Sequence, residues 1–145
     1  MDYRSAFAIS AAGMSVEKLR LDVTALNLAN MNSTQGADGQ LFKPMRVVAT
    51  LGGANFASQF EASASSLTSL LPAGRIEAMD VAPRVVHDPG HPDADEQGRV
   101  KLPGVNHLGE MVNMMSALRA YEANVVALNA AKTMAQRALD IGGAA

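Results

Sequence analysis

Residues 110–132 read EMVNMMSALRAYEANVVALNAAK, and the spacing of their apolar side chains decides the fold. Met114, Leu118, Tyr121, Val125 and Leu128 alternate intervals of four and three, the mark of a helix with a packing seam. Ala135 and Leu139 resume the line beyond Lys132. Asn106 is placed to cap the helix, and Glu110 in the first turn suits the positive end of its dipole. Gly142 and Gly143 form a natural stop. Met111, Val112, Met115 and Val126 fall off the main line, so this helix is apolar beyond one stripe.

The other end of the chain has the same character. Ile9, Ala12, Val16, Leu19, Val23 and Leu26 alternate three and four, and the line ends on Asn30. Phe7, Met14, Leu21 and Leu28 recur every seven residues on a second face. Two helices of about 30 residues, each about 45 Å long, are expected to pair as an antiparallel coiled coil. The fold class is therefore α+β, with residues 1–32 and 106–145 as the helical arms and 33–105 as a small β-rich region. Within that region residues 33–40 are turn chemistry, and residues 41–51 hold a strand broken early by Pro44. Residues 52–74, rich in Ala, Ser and Gly, are expected to be a flexible loop. RIEAM, PRVVHD and GRVKLPG follow as short strand-like pieces.

Composition removes several classes of function. The chain has 145 residues, and its 48% hydrophobic content is rich in alanine, with four Phe, two Tyr and no Trp, so a monomer core is small. A net charge of −2 with interspersed signs provides no basic footprint for nucleic acid and no polybasic membrane patch. No apolar run reaches the roughly 18 residues of a membrane span, so direct membrane insertion is not expected. AFAISAAGM at residues 6–14 is short and apolar like a signal-peptide core. Asp2 weakens that reading, and the helical phase runs on through residue 30, so no cleaved signal is expected. Without cysteine there is no disulfide, thiol nucleophile or Cys-based zinc site.

HDPGHPDADEQG at residues 87–98 is the best metal candidate, and it fails. Pro89 and Gly90 between the two histidines prevent the helix that a paired-histidine zinc site needs. Read as a calcium loop from Asp93, it puts Gly104 where the bidentate Glu belongs. No catalytic constellation, metal site or cofactor is expected; the stretch reads as a series of turns. Asparagines crowd the helices instead: Asn27, Asn30 and Asn32 at the end of the first, Asn113, Asn124 and Asn129 on the last. A seam asparagine fixes register at some cost in stability.

LNLANMNST, residues 26–34, resembles the signature after the first helix of bacterial flagellar rod and hook proteins. Residues 110–132 resemble their C-terminal helix, and residues 36–48 and 88–115 resemble the proximal-rod branch in particular. Leu26 stands where the family commonly has a serine, Met31 replaces a smaller residue, and Glu17 a glutamine.

The resemblance implies a structural, non-enzymatic protein of the flagellar basal body. It implies export by the flagellar type III apparatus without signal cleavage, and assembly in the periplasm into the hollow rod. Its partners would be other rod proteins, copies of itself, and the membrane-ring and export-gate base proteins. The helices would form the inner tube around the export channel, with the β-rich part outward. The residues expected at helix-packing and assembly interfaces are Ile9, Val16, Leu19, Val23, Leu26, Asn27 and Asn30 on the first helix. On the last they are Met111, Met114, Met115, Leu118, Tyr121, Asn124, Val125 and Leu128. Two other readings compete: a cytosolic coiled-coil adaptor or secretion chaperone, and an enzyme built on residues 87–95.

Overall fold

The computed structural model describes residues 3–34, 39–51 and 71–142, the side chain of Leu51 excepted. Helix α1 covers Tyr3–Asn30 and helix α2 covers His107–Gly142. Between them lie β1 at Met45–Leu51, β2 at Pro72–Ala78, β3 at Arg84–His87 and β4 at Arg99–Leu102. This is the α+β order of helix, strands and helix that the sequence pattern predicts.

Both helices carry identifiable end signals. The Asn106 side-chain oxygen accepts the Gly109 N–H at 3.1 Å, and its carbonyl accepts the Glu110 N–H at 2.9 Å, so Asn106 is the N-cap expected. At the end of α1 the Asn30 carbonyl accepts the Ser33 N–H at 3.1 Å and the Ser33 hydroxyl at 2.8 Å, which closes the last turn. The apolar stretch at residues 6–14 lies inside α1, and the helix continues unbroken past it. Neither helix contains proline, which would remove a backbone donor and clash with the preceding turn.

The strands form two sheets of two strands each, β1 with β2 and β3 with β4. The first pair runs antiparallel. Met79 N–H donates to the Pro44 carbonyl at 2.7 Å at one end, and the Thr50 hydroxyl to the Ala73 carbonyl at 3.3 Å towards the other. β1 begins immediately after Pro44, as a residue without an N–H requires. The loop expected over residues 52–74 is too long at its far end, because Pro72, Ala73 and Gly74 belong to β2. Their intrinsic strand preference is low; pairing with β1 draws them in, and Pro72 sits at the first position, where its missing donor costs least. Residues 52–70 lie outside the described part of the chain.

In the second sheet β3 and β4 are antiparallel, with Arg84 opposite Leu102 and His87 opposite Arg99. The ladder runs one step further through Asp88 N–H to the Gly98 carbonyl at 2.9 Å. Gly98 has a φ of 71°, a left-handed conformation that L side chains rarely adopt, so glycine suits this turn back into β4.

The described residues fall into two compact units. One takes its residues from Met1–Leu19, Val48–Arg75 and Ser116–Ala145, the other from Arg20–Val47 and Ile76–Met115. The first buries Ser10, Val16, Ala117 and Ala131; the second buries Val23, Thr24, Asn27, Pro44, Val100 and Pro103. Burial of a valine contributes about 1.5–3 kcal/mol and of an alanine much less, so each core is modest.

Candidate functional site

Asn27 is 1% exposed, and its amide is spent entirely inside the second unit. Its Nδ2 donates to the Met45 carbonyl at 2.7 Å, while its Oδ1 accepts the Met45 N–H at 2.9 Å. A side-chain amide carries one donor group and one acceptor, as a peptide unit does. Asn27 thus pairs with Met45 as a neighbouring strand would, at the point where β1 begins. The same Nδ2 donates to Glu110 Oε2 at 3.3 Å in the first turn of α2. One buried side chain therefore ties α1, β1 and α2 together. Beside it opens a cleft of about 130 Å³, whose lining includes Arg20, Thr24, Arg46, Glu110 and Asn113.

In the first unit the corresponding contact is steric. A methyl group on Gly13 would lie 2.7 Å from Asn124 Oδ1 and 3.0 Å from its Cγ, far inside van der Waals range. Asn124 Nδ2 donates to the Ala120 carbonyl at 2.9 Å, which holds the amide against its own helix with the oxygen towards Gly13. Only glycine lets α1 approach this side chain so closely.

These contacts fix which face of each helix is buried. On α1 the buried residues include Ser10, Val16, Val23 and Asn27, while Leu19 and Asn30 are half-buried and Ile9 and Leu26 are exposed. On α2 the fully buried residues are Ala117 and Ala131, with Met114, Tyr121, Asn124, Val125 and Leu128 half-buried. Met111, Met115 and Leu118 are exposed. At one point of the expected line the buried place goes to a neighbour: Ala117 is 0% exposed and Leu118 is 47% exposed. The physical reason is size and polarity. Close approach selects glycine and alanine, register selects asparagine, and a search for large apolar residues at three-four spacing passes over all of them.

The outer face of α2 is consequently rich in large apolar groups. Leu108, Met111, Val112, Met115 and Leu118 follow one another along it, and Val126, Met134, Leu139 and Ile141 are exposed further on. No helix among the described residues is long and apolar enough to cross a membrane.

Asp95 of the β3–β4 loop serves the loop itself. Asp95 Oδ1 accepts the N–H groups of Gln97 at 2.9 Å and Arg99 at 2.8 Å, and its Oδ2 accepts Arg99 Nε at 2.9 Å. The Arg99 backbone N–H, aided by the Arg99 guanidinium and the Gln97 N–H, holds the Asp95 carboxyl below its ordinary value. Donors of its own loop thus engage both carboxylate oxygens, in the stretch that offered the best sequence candidate for a metal ligand.

Residues 96–141 match the family model described as flagellar basal body rod FlgEFG protein C-terminal. The flagellar basal-body rod protein FlgC of Salmonella typhimurium is 36% identical over 136 residues, covering 94% of this chain and 95% of the relative. The chain belongs to the FlgC family. The FlgC of Bacillus subtilis is 36% identical over 141 residues, covering 92% of this chain and 94% of its own length. That of Aquifex aeolicus is 32% identical over 142 residues, covering 97% of both. The relationship spans the arms and the β-rich middle together, so the FlgC likeness is not confined to the helical seam.

Proposed function

We propose that this chain is a structural subunit of the proximal rod of the bacterial flagellum, polymerising with other rod proteins and copies of itself. The rod is then the hollow periplasmic drive shaft that transmits torque and surrounds the export channel. The observation that carries this reading is the allocation of side chains on α2. Ala117 and Ala131 are the buried residues, while Leu108, Met111, Val112, Met115, Leu118 and Val126 are exposed. A protein that works alone gains little from such an arrangement, whereas a subunit embedded among neighbours buries the outer face on assembly.

The two arms pair in this reading as an antiparallel coiled coil. Gly13 and Asn27 lie fourteen residues apart on α1, and their partners Asn124 and Glu110 lie fourteen apart on α2 in reversed order. Fourteen residues are two heptads, the repeat of a coiled-coil seam. Val16, Val23, Asn27, Met114, Tyr121 and Asn124 then hold the two arms together. Ile9, Leu26, Met111, Met115 and Leu118 meet neighbouring subunits. The chain reaches the rod through the flagellar type III apparatus, and the membrane-ring and export-gate base proteins bound its lower end.

The test is whether the chain co-purifies with detergent-extracted basal bodies stripped of filament. Stoichiometric recovery in the rod fraction is expected. Recovery only as a discrete soluble dimer in the cytosol would overturn the assignment and favour an adaptor.

A further inference from the structure

Thr34, just beyond the end of α1, donates its hydroxyl to Asp93 Oδ2 at 2.6 Å, and Asp93 lies in the loop joining β3 to β4. The Asp93 backbone N–H in turn donates to His91 Nδ1 at 3.1 Å. An imidazole nitrogen accepts a hydrogen bond only while it carries no proton, so this contact requires neutral His91 with its proton on Nε2. The Asp93 carboxylate already lies 3.8 Å from the same Nδ1. Two acceptors, the imidazole nitrogen and the carboxylate oxygen, therefore face each other across a gap that a proton could bridge.

We propose that His91, Asp93 and Thr34 form a pH-sensitive latch that fastens the β3–β4 loop to the segment following α1. When Nδ1 takes a proton from solvent, it ceases to accept the Asp93 N–H and becomes a donor. The carboxylate oxygen within 3.8 Å is Asp93 Oδ2, the one that holds Thr34. Closing the 3.8 Å gap to a charge-assisted hydrogen bond draws that oxygen towards the imidazolium and off the threonine hydroxyl. Only one proton moves.

The surroundings favour this exchange. A cleft of about 350 Å³ lined by Thr34, Asp93, Asp95, Arg99 and Lys101 gives the carboxylate room to swing. Among the described residues, the charged and titratable groups of these elements are Arg84 and His87 of β3, Asp88, Asp93, Asp95 and Glu96 of the loop, and Arg99 and Lys101 of β4; the α1 side contributes neutral Thr34. Asp95 is bound to Arg99, and Asp88 Oδ1 accepts the Gly90 N–H at 3.2 Å. These bonds engage Asp88 and Asp95, and among the loop carboxylates Asp93 is the one that lies 3.8 Å from His91 Nδ1. Lys101, a second cation of the cleft lining beside the Asp95-bound Arg99, opposes the swing by attracting the carboxylate.

The experiment is nuclear magnetic resonance on the full chain between about pH 8 and pH 5, the range in which imidazoles change charge. The His91 ring and the Thr34 and Asp93 amides are expected to shift along one sigmoid with a common midpoint. In His91→Asn, which keeps an acceptor oxygen but does not titrate there, the Thr34 and Asp93 shifts are expected to stay flat. In Asp93→Asn the ring still titrates and Thr34 no longer follows. A Thr34 amide that stays constant while the wild-type His91 ring titrates would overturn the proposal, and so would an unchanged Thr34 titration in either variant. The wild-type arm decides alone should a variant fail to fold.

Discussion

Replacing Asn27 by aspartate changes one nitrogen to one oxygen and leaves the shape intact, so it isolates the electrostatics of the buried amide. The Oδ1 contact with the Met45 N–H at 2.9 Å survives. The two donor contacts of Nδ2, to the Met45 carbonyl at 2.7 Å and to Glu110 Oε2 at 3.3 Å, become contacts between acceptors. Two like charges at that separation repel by about 5 kcal/mol at an effective dielectric of about 20. Protonation sets a ceiling, because holding a carboxyl neutral at pH 7 against an ordinary value near 3.9 costs about 4 kcal/mol. Once protonated, the introduced carboxyl could still donate to one of the two oxygens. The expected destabilisation is therefore about 4 kcal/mol at pH 7.

The sign with pH is fixed by the same reasoning. The folded-state pKa of the introduced carboxyl would be raised above its unfolded value, so the folded variant binds the proton more tightly. The penalty then shrinks by about 1.4 kcal/mol for each unit that pH falls below 7, and it is small near pH 4. Adding Glu110→Gln removes the like charge and offers an Nε2 donor to the new carboxylate. The double variant should regain about 1.5–3 kcal/mol, the range for a hydrogen bond to a charged group. Urea unfolding followed by circular dichroism measures the energies, and hydrogen exchange at the Met45 amide reports the node directly. An Asn27→Asp variant as stable as wild type at pH 7, or a double variant no better than the single, would refute the reasoning.

The remaining expectations concern the seam, the outer face and the loop. Gly13→Ala gains up to about 1 kcal/mol of helix propensity but must displace Asn124, and overpacking of this kind costs about 1–3 kcal/mol. It should therefore destabilise wild type and stabilise an Asn124→Ala background, a reversal that thermal unfolding would show. Ala117→Asp buries a charge and should unfold the first unit, whereas Leu118→Asp should change chain stability by about 1 kcal/mol or less and still abolish swimming. Normal motility of the Leu118→Asp variant at native expression would count against the assembly face. Because the folded-state pKa of Asp95 is lowered, its contribution is complete above the unfolded value and is lost as pH falls through the folded one. Amide exchange at Arg99 should accelerate in that acid range in wild type and lack this step in Asp95→Asn. In dilute monomer the arms should exchange faster than β3 and β4, since assembly supplies the surface that the arms leave uncovered. Slow exchange across residues 16–28 and 118–128 would contradict this.

Much of the fold was legible because it rests on local chemistry. Asn106 capped the helix it was expected to cap, and Pro44 marked the residue before β1. Val16 and Val23 of the spaced line on α1 are buried, whereas Ile9 and Leu26 of the same line are exposed. What escaped were features set by contacts distant in the chain. Pro72, Ala73 and Gly74 have no strand character of their own and become β2 only by lying beside β1. The buried positions of α2 went to Ala117 and Ala131, residues too small to carry a hydropathy signal. Asn27 was recognisable as a candidate for register, but its partner is the backbone of Met45. A backbone group has no residue type to betray it.

That last pairing has a consequence for the segment between α1 and β1. Because Asn27 grips peptide groups, position 45 can hold many side chains provided it keeps an N–H. Its predecessor cannot meet that condition: Pro44 has no N–H to offer. If the strand slipped by one residue so that position 44 came opposite Asn27, Oδ1 would lose its donor and be left buried and unmatched, at about 1–3 kcal/mol. The same slip would also turn the faces of β1 over. Pro44 thus acts as a pawl beside the asparagine, and an insertion or deletion in the connection must be absorbed before residue 44 rather than passed on to the strand.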